Sequence, residues 1–306
     1  ESVKTPYLVL GAAFVLVAVC LKFSSVPNRV DLDALAADEA SDASKLAHKP
    51  SAFGYPQLVL GMIAIFVYVG VEVSTISNLP AYLSLPVSEG GLGIETALIA
   101  PFVSLYWASL MIGRWAGAAG AFDVAKHTKW MLTILLPYLA FGVFLAVNAF
   151  ANHEISHFFM YGFVIVLMIA ATFASRGNPA RMLLYFAICG IAALVIGMLT
   201  TGMTSVVAFI SVGLFCSTMW PCIFTLAITG LGRNTNQGSS LLIMMIMGGG
   251  IVSWLQGVIA DMHGIHYSFV VGVLCFAYLA FYAIAAKRAL QKQGIDLDAL
   301  TAQGGH

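Results

Sequence analysis

Nine stretches of this chain are apolar over the roughly 20 residues that a helix needs to cross a bilayer. Their approximate limits are 6–23, 56–84, 94–120, 129–150, 158–175, 180–200, 203–230, 238–260 and 268–288. Backbone groups in lipid have no water to bond, so a spanning segment must satisfy them internally as a helix, and these runs lack the two-residue alternation of barrel strands. The expected fold is therefore all-α, a polytopic bundle of about nine transmembrane helices whose first partner is the lipid bilayer. Composition agrees: 60% of residues are hydrophobic and 9% charged, where a soluble domain carries about 25% charge.

Several function classes fall away at this point. The formal net charge is zero, so the clustered basic excess that holds nucleic acid is absent. All five cysteines, Cys20, Cys189, Cys216, Cys222 and Cys275, lie within apolar runs and read as small buried hydrophobes rather than a disulfide or zinc framework. No G-x-x-x-x-G-K-[ST] phosphate loop occurs, and nothing calls for a cofactor.

The connections test the helix count. Lys and Arg gather on the cytoplasmic side of membrane proteins. Taken alternately, one side holds Lys22, Arg29, Lys45, Lys49, Arg114, Lys126, Lys129, Arg176, Arg181, Arg233, Lys287, Arg288 and Lys292, and the other only Lys4. A miscounted span would scramble this segregation, which predicts an outside N-terminus and a cytoplasmic C-terminus. The polar stretch 24–55, with Asp31, Asp33, Asp38, Glu39 and Asp42, reads as a cytoplasmic linker, and 289–306 as a cytoplasmic tail. The chain begins with Glu1 and its odd span number departs from the paired repeats usual in transporters. An N-terminal half of the same protein is accordingly expected before it.

Glu72 is the one charged side chain near the middle of an apolar run. A carboxylate at membrane depth is costly unless it faces a protein-lined or watery interior, so it marks a substrate or proton pathway. The competing role is a Glu hydrogen-bonded between packed helices. Tyr68 lies four residues before it on the same helical face, and Thr75 continues that face. Asn78 stands just before Pro80, where a helix irregularity presents backbone and amide groups to a ligand.

Three segments carry a family resemblance: FVYVGVEVSTISNLPAYL, SLYWASLMIGRWAGA, and the run from Cys216 to Asp261 with its order of Trp-Pro, Leu-Gly, Gly-Ser-Ser and Gly-Gly-Gly. Together they resemble the C-terminal half of the fucose:proton symporter family, sugar permeases of the major facilitator superfamily. By this resemblance residues 1–23 are the last helix of the N-terminal half and 56–288 form the C-terminal half. The family has one helix between the GRWAG and CSTMWP segments where this chain offers three, which makes 129–175 an inserted helical pair. The resemblance implies a bacterial inner-membrane transporter of a monosaccharide of the fucose, glucose or galactose class, with the proton as coupling ion and alternating access between two halves. A facilitator for another small polar solute is the alternative within transport.

The same resemblance implies a central cavity lined by 56–84, 94–120, 203–230 and 238–260. Sugars are held by hydrogen bonds and by aromatic faces, so the candidate substrate residues are Tyr68, Glu72, Asn78, Trp107, Trp220 and Gln256. Trp220 has a second reading as an interhelical filler. Gly113, Arg114 and Gly117 resemble the superfamily's cytoplasmic loop motif, in which the Arg holds helices together in one conformational state. Gly248, Gly249 and Gly250 are expected to permit backbone contact and bending.

One rival motif points elsewhere. His153, Glu154 and His157 fit H-E-x-x-H, which on a helix supplies two zinc ligands and a general base for a membrane metallopeptidase. The motif sits in a short connection rather than within a run, which favours an ordinary loop.

Overall fold

The computed structural model describes residues 4–23, 51–89, 91–118 and 125–298, and among them all regular structure is helical. Helix α1 (Lys4–Phe23) belongs to a compact unit of its own and coincides with the first expected span. Most of the expected linker, 24–50, lies outside the described residues. The second unit contains eight helical stretches long and apolar enough to cross a membrane. They are built from α2 (Pro56–Ser84), α3 (Ala100–Ala118), α4 (Lys126–Phe150), α5 (Tyr161–Ser175), α6 (Pro179–Leu199), α7 (Gly202–Cys216) with α8 (Met219–Ile228), α9 (Thr235–Met244) with α10 (Gly248–His263), and α11 (Ile265–Ser268) with α12 (Val270–Lys292).

Local chemistry sets most of the boundaries. Pro56 opens α2 at the first helical position, where its missing N–H costs nothing. The helix ends at Ser84 because Leu85, preceding Pro86, is pushed into extended backbone (φ −58°, ψ 143°). Pro80 sits inside α2 and leaves the Ile76 carbonyl without its usual donor, yet the helix runs on for another turn. Asn178 caps α6 by accepting from the N–H groups of Ala180 and Arg181 at 3.0 and 3.2 Å, with Pro179 at the first position.

The structure keeps three expected spans as crossing stretches and refines their ends and continuity. The run 203–230 is two helices, parted at Ser217 and Thr218 (Thr218 φ −108°, ψ 0°). Pro221 is the cause: it cannot donate to the Ser217 carbonyl. The run 238–260 starts earlier, at Thr235, and is interrupted by a 3-10 turn over Met245–Met247. The last helix continues to Lys292 rather than 288, because Leu290 is buried within the polar stretch that follows the apolar run.

Without a hydrophobic drive between helices in lipid, association rests on close backbone approach and hydrogen bonds. Gly248 lies directly against the Phe66 backbone and Gly70 against Val252, which pairs α2 with α10 in parallel. Gly213 meets the Tyr106 backbone and Gly113 meets Ser217, pairing α3 in parallel with α7 and α8. The α7–α8 stretch is the core, 83% buried, whereas only 22% of α4 is buried at the edge.

Polar clasps close both ends. At the Pro56 end, Gln57 donates to the Thr229 carbonyl and exchanges hydrogen bonds with Gln293 at 2.8–3.2 Å. Beside it, Asp298 accepts from Asn178 (2.6 Å) and pairs with Lys287 (2.9 Å) and Arg181 (3.1 Å). At the Ser84 end, Tyr82 donates to Ser205 (2.8 Å), Ser205 donates to the Gly197 carbonyl (2.7 Å), and His266 Nε2 lies 2.8 Å from that same oxygen. The ring of His266 stacks on Tyr82 at 5.1 Å. Two of the residues on which the helix count relied, Arg181 and Lys287, therefore meet on Asp298 at one end of the bundle.

Candidate functional site

Glu72 sits in the middle of α2, half-buried, with the hydroxyl of Tyr68 hydrogen-bonded to its carboxylate. Tyr68 is 1% exposed and meets Trp220 edge-to-face, ring centres 6.1 Å apart and planes at 60°. The Arg114 guanidinium on α3 is close enough for its charge to act on Glu72, and the Cys216 thiol is within reach of the carboxylate's charge. Four expected residues, Tyr68, Glu72, Trp220 and Arg114, are thus brought together around the α7–α8 joint.

The joint itself supplies what the sequence reading missed. Gly113 allows α3 to press against Ser217, and a Cβ added at Gly117 would come into ordinary contact with the Thr218 methyl at 3.6 Å. The two glycines of GRWAG thus face the break between α7 and α8. Among the described residues, the Thr218 and Ser74 hydroxyls are buried without a hydrogen-bond partner, one at the joint and the other two residues from Glu72. Buried polar atoms are almost always paired, so these two hydroxyls stand out among the described residues. Pro221 was the available signal, read for its neighbour Trp220 rather than for the carbonyl it frees.

Tyr106 is the second residue missed. Its side chain is fully buried and donates to the Glu72 carbonyl at 2.7 Å, fastening α3 to α2 at the level of the acid. Its place in SLYWASL, one residue before Trp107, puts it on the buried face with Ser109 and Gly113.

The remaining candidates lie apart. Asn78 donates to the Ser74 carbonyl at 2.9 Å, within its own helix. Gln256 is 1% exposed and donates to Ser268 at 3.3 Å, spanning α10 and α11. Trp107 is 48% exposed and packs edge-on against Tyr106 at 5.9 Å. It lines a separate cavity between α2 and α3.

The H-E-x-x-H segment does not form the zinc arrangement. It runs through a turn into a 3-10 turn at Ser156–Phe158, so its imidazoles do not share a helical face. His153 lies 3.0 Å from the Asn148 side-chain oxygen, while Glu154 is engaged by Ser156 (2.8 Å) and His157 (3.6 Å). Among the described residues no group of three His, Cys, Asp or Glu side chains is placed to hold a metal ion.

Comparison with known proteins places this geometry. No family model matches the chain. The glucose/galactose transporter of Brucella abortus is 33% identical over 291 residues, covering 94% of this chain and 55% of that protein. The L-fucose-proton symporter of Escherichia coli is 24% identical over 286 residues, 92% of this chain and 51% of its own. The crystal structure of FucP, a major facilitator superfamily transporter in the outward conformation, superposes with a TM-score of 0.58 at 23% identity, over 93% of this chain and 55% of that one. The chain carries the major facilitator fold. It spans about half the length of the curated relatives it matches. Those relatives are named as transporters, which agrees with the resemblance carried by its motifs, and the protein is a multi-pass membrane protein.

Proposed function

We propose that this protein is a secondary active transporter of a monosaccharide of the fucose, glucose or galactose class, coupled to protons and working by alternating access in a bacterial inner membrane. The observation that carries the reading is Glu72: a carboxylate at mid-span, hydrogen-bonded by Tyr68, whose ring in turn meets Trp220. A sugar needs this combination, with acceptors for its hydroxyls and an aromatic face for its C–H surface. The printed names of the relatives supply the substrate class.

In this reading 56–288 is the C-terminal half, 1–23 the last helix of the N-terminal half, 24–55 the cytoplasmic linker and 289–306 the cytoplasmic tail. The pair 129–175 is an insertion, supported by the position of α4 at the bundle edge. The charge segregation supports a cytoplasmic C-terminus. Arg114 and its glycines hold the α7–α8 joint in one conformational state and release it in the other.

Glu72→Gln in the full-length protein tests the reading. A hydrogen bond to a charged acceptor contributes about 1.5–3 kcal/mol, or about 10- to 150-fold in affinity. Sugar uptake should fall by that order while the amount of protein in the membrane is unchanged. Uptake kinetics equal to those of the parent would refute it.

A further inference from the structure

Between the Ser84 end of α2 and the first turns of α3 lies a cavity of about 550 Å³ that the central site does not use. Pro80, Ala81 and Ser84 form one wall, and Thr96, Ser104 and Trp107 contribute to the other. Its size falls within the roughly 300–1,000 Å³ of small-molecule sites. We propose that this cavity is a second sugar subsite, which receives the monosaccharide from outside before it reaches Glu72. The inference rests on the transport reading given above.

Three observations carry it. Trp107 is held on edge by Tyr106, leaving much of the indole uncovered. The Ser84 and Ser104 hydroxyls line the cavity and bond only their own helices, to the Ala81 and Pro101 carbonyls, so both oxygens can still accept. The third concerns the direction in which this face turns. Trp107 and Arg114 are seven residues apart and share a helical face, and Arg114 acts on Glu72. The stripe that bears Trp107 therefore turns toward the polar interior. Pro80 and Ser84 lie 8 and 12 residues beyond Glu72, about 12–18 Å along the helix. One sugar cannot occupy both places, so the two sites act in sequence.

Ser104→Cys and, separately, Ser84→Cys provide reporters on opposite walls. The full-length protein in intact cells is treated with a membrane-impermeant maleimide, with and without each sugar of a monosaccharide panel. Labelling is compared with the parent, in which Cys216, Cys222 and Cys275 are buried but Cys189 is partly exposed and Cys20 is exposed, contrary to the expectation of five buried thiols, so the parent's own labelling is subtracted. At ten times its Kd the right sugar should slow labelling of both reporters about 11-fold. The protection should persist when Glu72→Gln is added and disappear when Trp107→Ala is added. Uptake of a sugar that protects neither reporter would overturn the subsite and leave the transport reading intact. Protection without uptake would support the subsite and overturn the transport reading. Protection abolished by Glu72→Gln would show closure triggered at the central site, and would also overturn the proposal.

Discussion

Two glycines two positions apart, Gly248 and Gly250, should respond to the same substitution with opposite signs. At Gly248 an added Cβ would lie 2.7 Å from the Phe66 carbonyl carbon and 2.8 Å from its Cα, both backbone atoms that cannot rotate away. Carbon atoms rest about 3.5–4.0 Å apart, so α2 and α10 would have to separate by about 1 Å. Overpacking of this kind costs about 1–3 kcal/mol. At Gly250 the same Cβ meets nothing within 4 Å. Both substitutions share the helix-propensity gain of about 0.5–1 kcal/mol, so their difference isolates the interhelical contact. Thermal unfolding of purified Gly248→Ala and Gly250→Ala in one detergent measures it. Gly250→Ala should match or exceed the parent, and Gly248→Ala should fall about 1–3 kcal/mol below Gly250→Ala. Equal stability of the two variants would refute the parallel close contact of α2 and α10.

Tyr106→Phe removes the 2.7 Å hydrogen bond to the Glu72 carbonyl; stability should drop by about 1 kcal/mol and the sugar KM should rise at an unchanged membrane level. An unmoved KM would reduce Tyr106 to a fastening between helices. Asp298 is held below the usual carboxylate range, chiefly by its hydrogen bond to Lys287 and further by Arg181 and Asn178. Because its folded pKa is depressed, the clasp stabilises above the unfolded value of about 3.9 and is lost as pH falls through the lower folded value. Hydrogen exchange at the start of α6 and the end of α12, taken relative to the intrinsic amide rate at each pH, should therefore stay slow from neutral pH to about 5 and quicken only in stronger acid. In Asp298→Asn it should be fast already at neutral pH; protection equal to the parent would show that the clasp contributes nothing.

Hydropathy and the placement of Lys and Arg made the helix count legible, because both follow from the bilayer as solvent and need no tertiary information. The parting of α7 from α8 was legible in principle. A proline at position 221 frees the Ser217 carbonyl whatever the helix packs against, and only the apolar continuity of the run concealed it. Glu72 announced itself by its charge, and Tyr68 by its spacing. Tyr106 did not, since a Tyr in a spanning helix is unremarkable until the neighbouring helix brings a carbonyl within 2.7 Å. Gln256 and Asn78 show the converse. Polarity on a cavity-lining span singled them out, but which neighbour satisfies a polar group depends on helix rotation, and here Ser268 and the Ser74 carbonyl do so.

Radiolabelled uptake across a panel of monosaccharides, recorded with external pH in vesicles carrying the full-length protein and its Glu72→Gln variant, tests the central claim most directly. The account predicts uptake of one sugar of the fucose, glucose or galactose class, accompanied by alkalinisation outside, and a loss of about 10- to 150-fold in apparent affinity in the variant. Sugar uptake without proton movement would remove the coupling and leave a facilitator. Uptake of no sugar, or uptake indifferent to Glu72→Gln, would contradict the account.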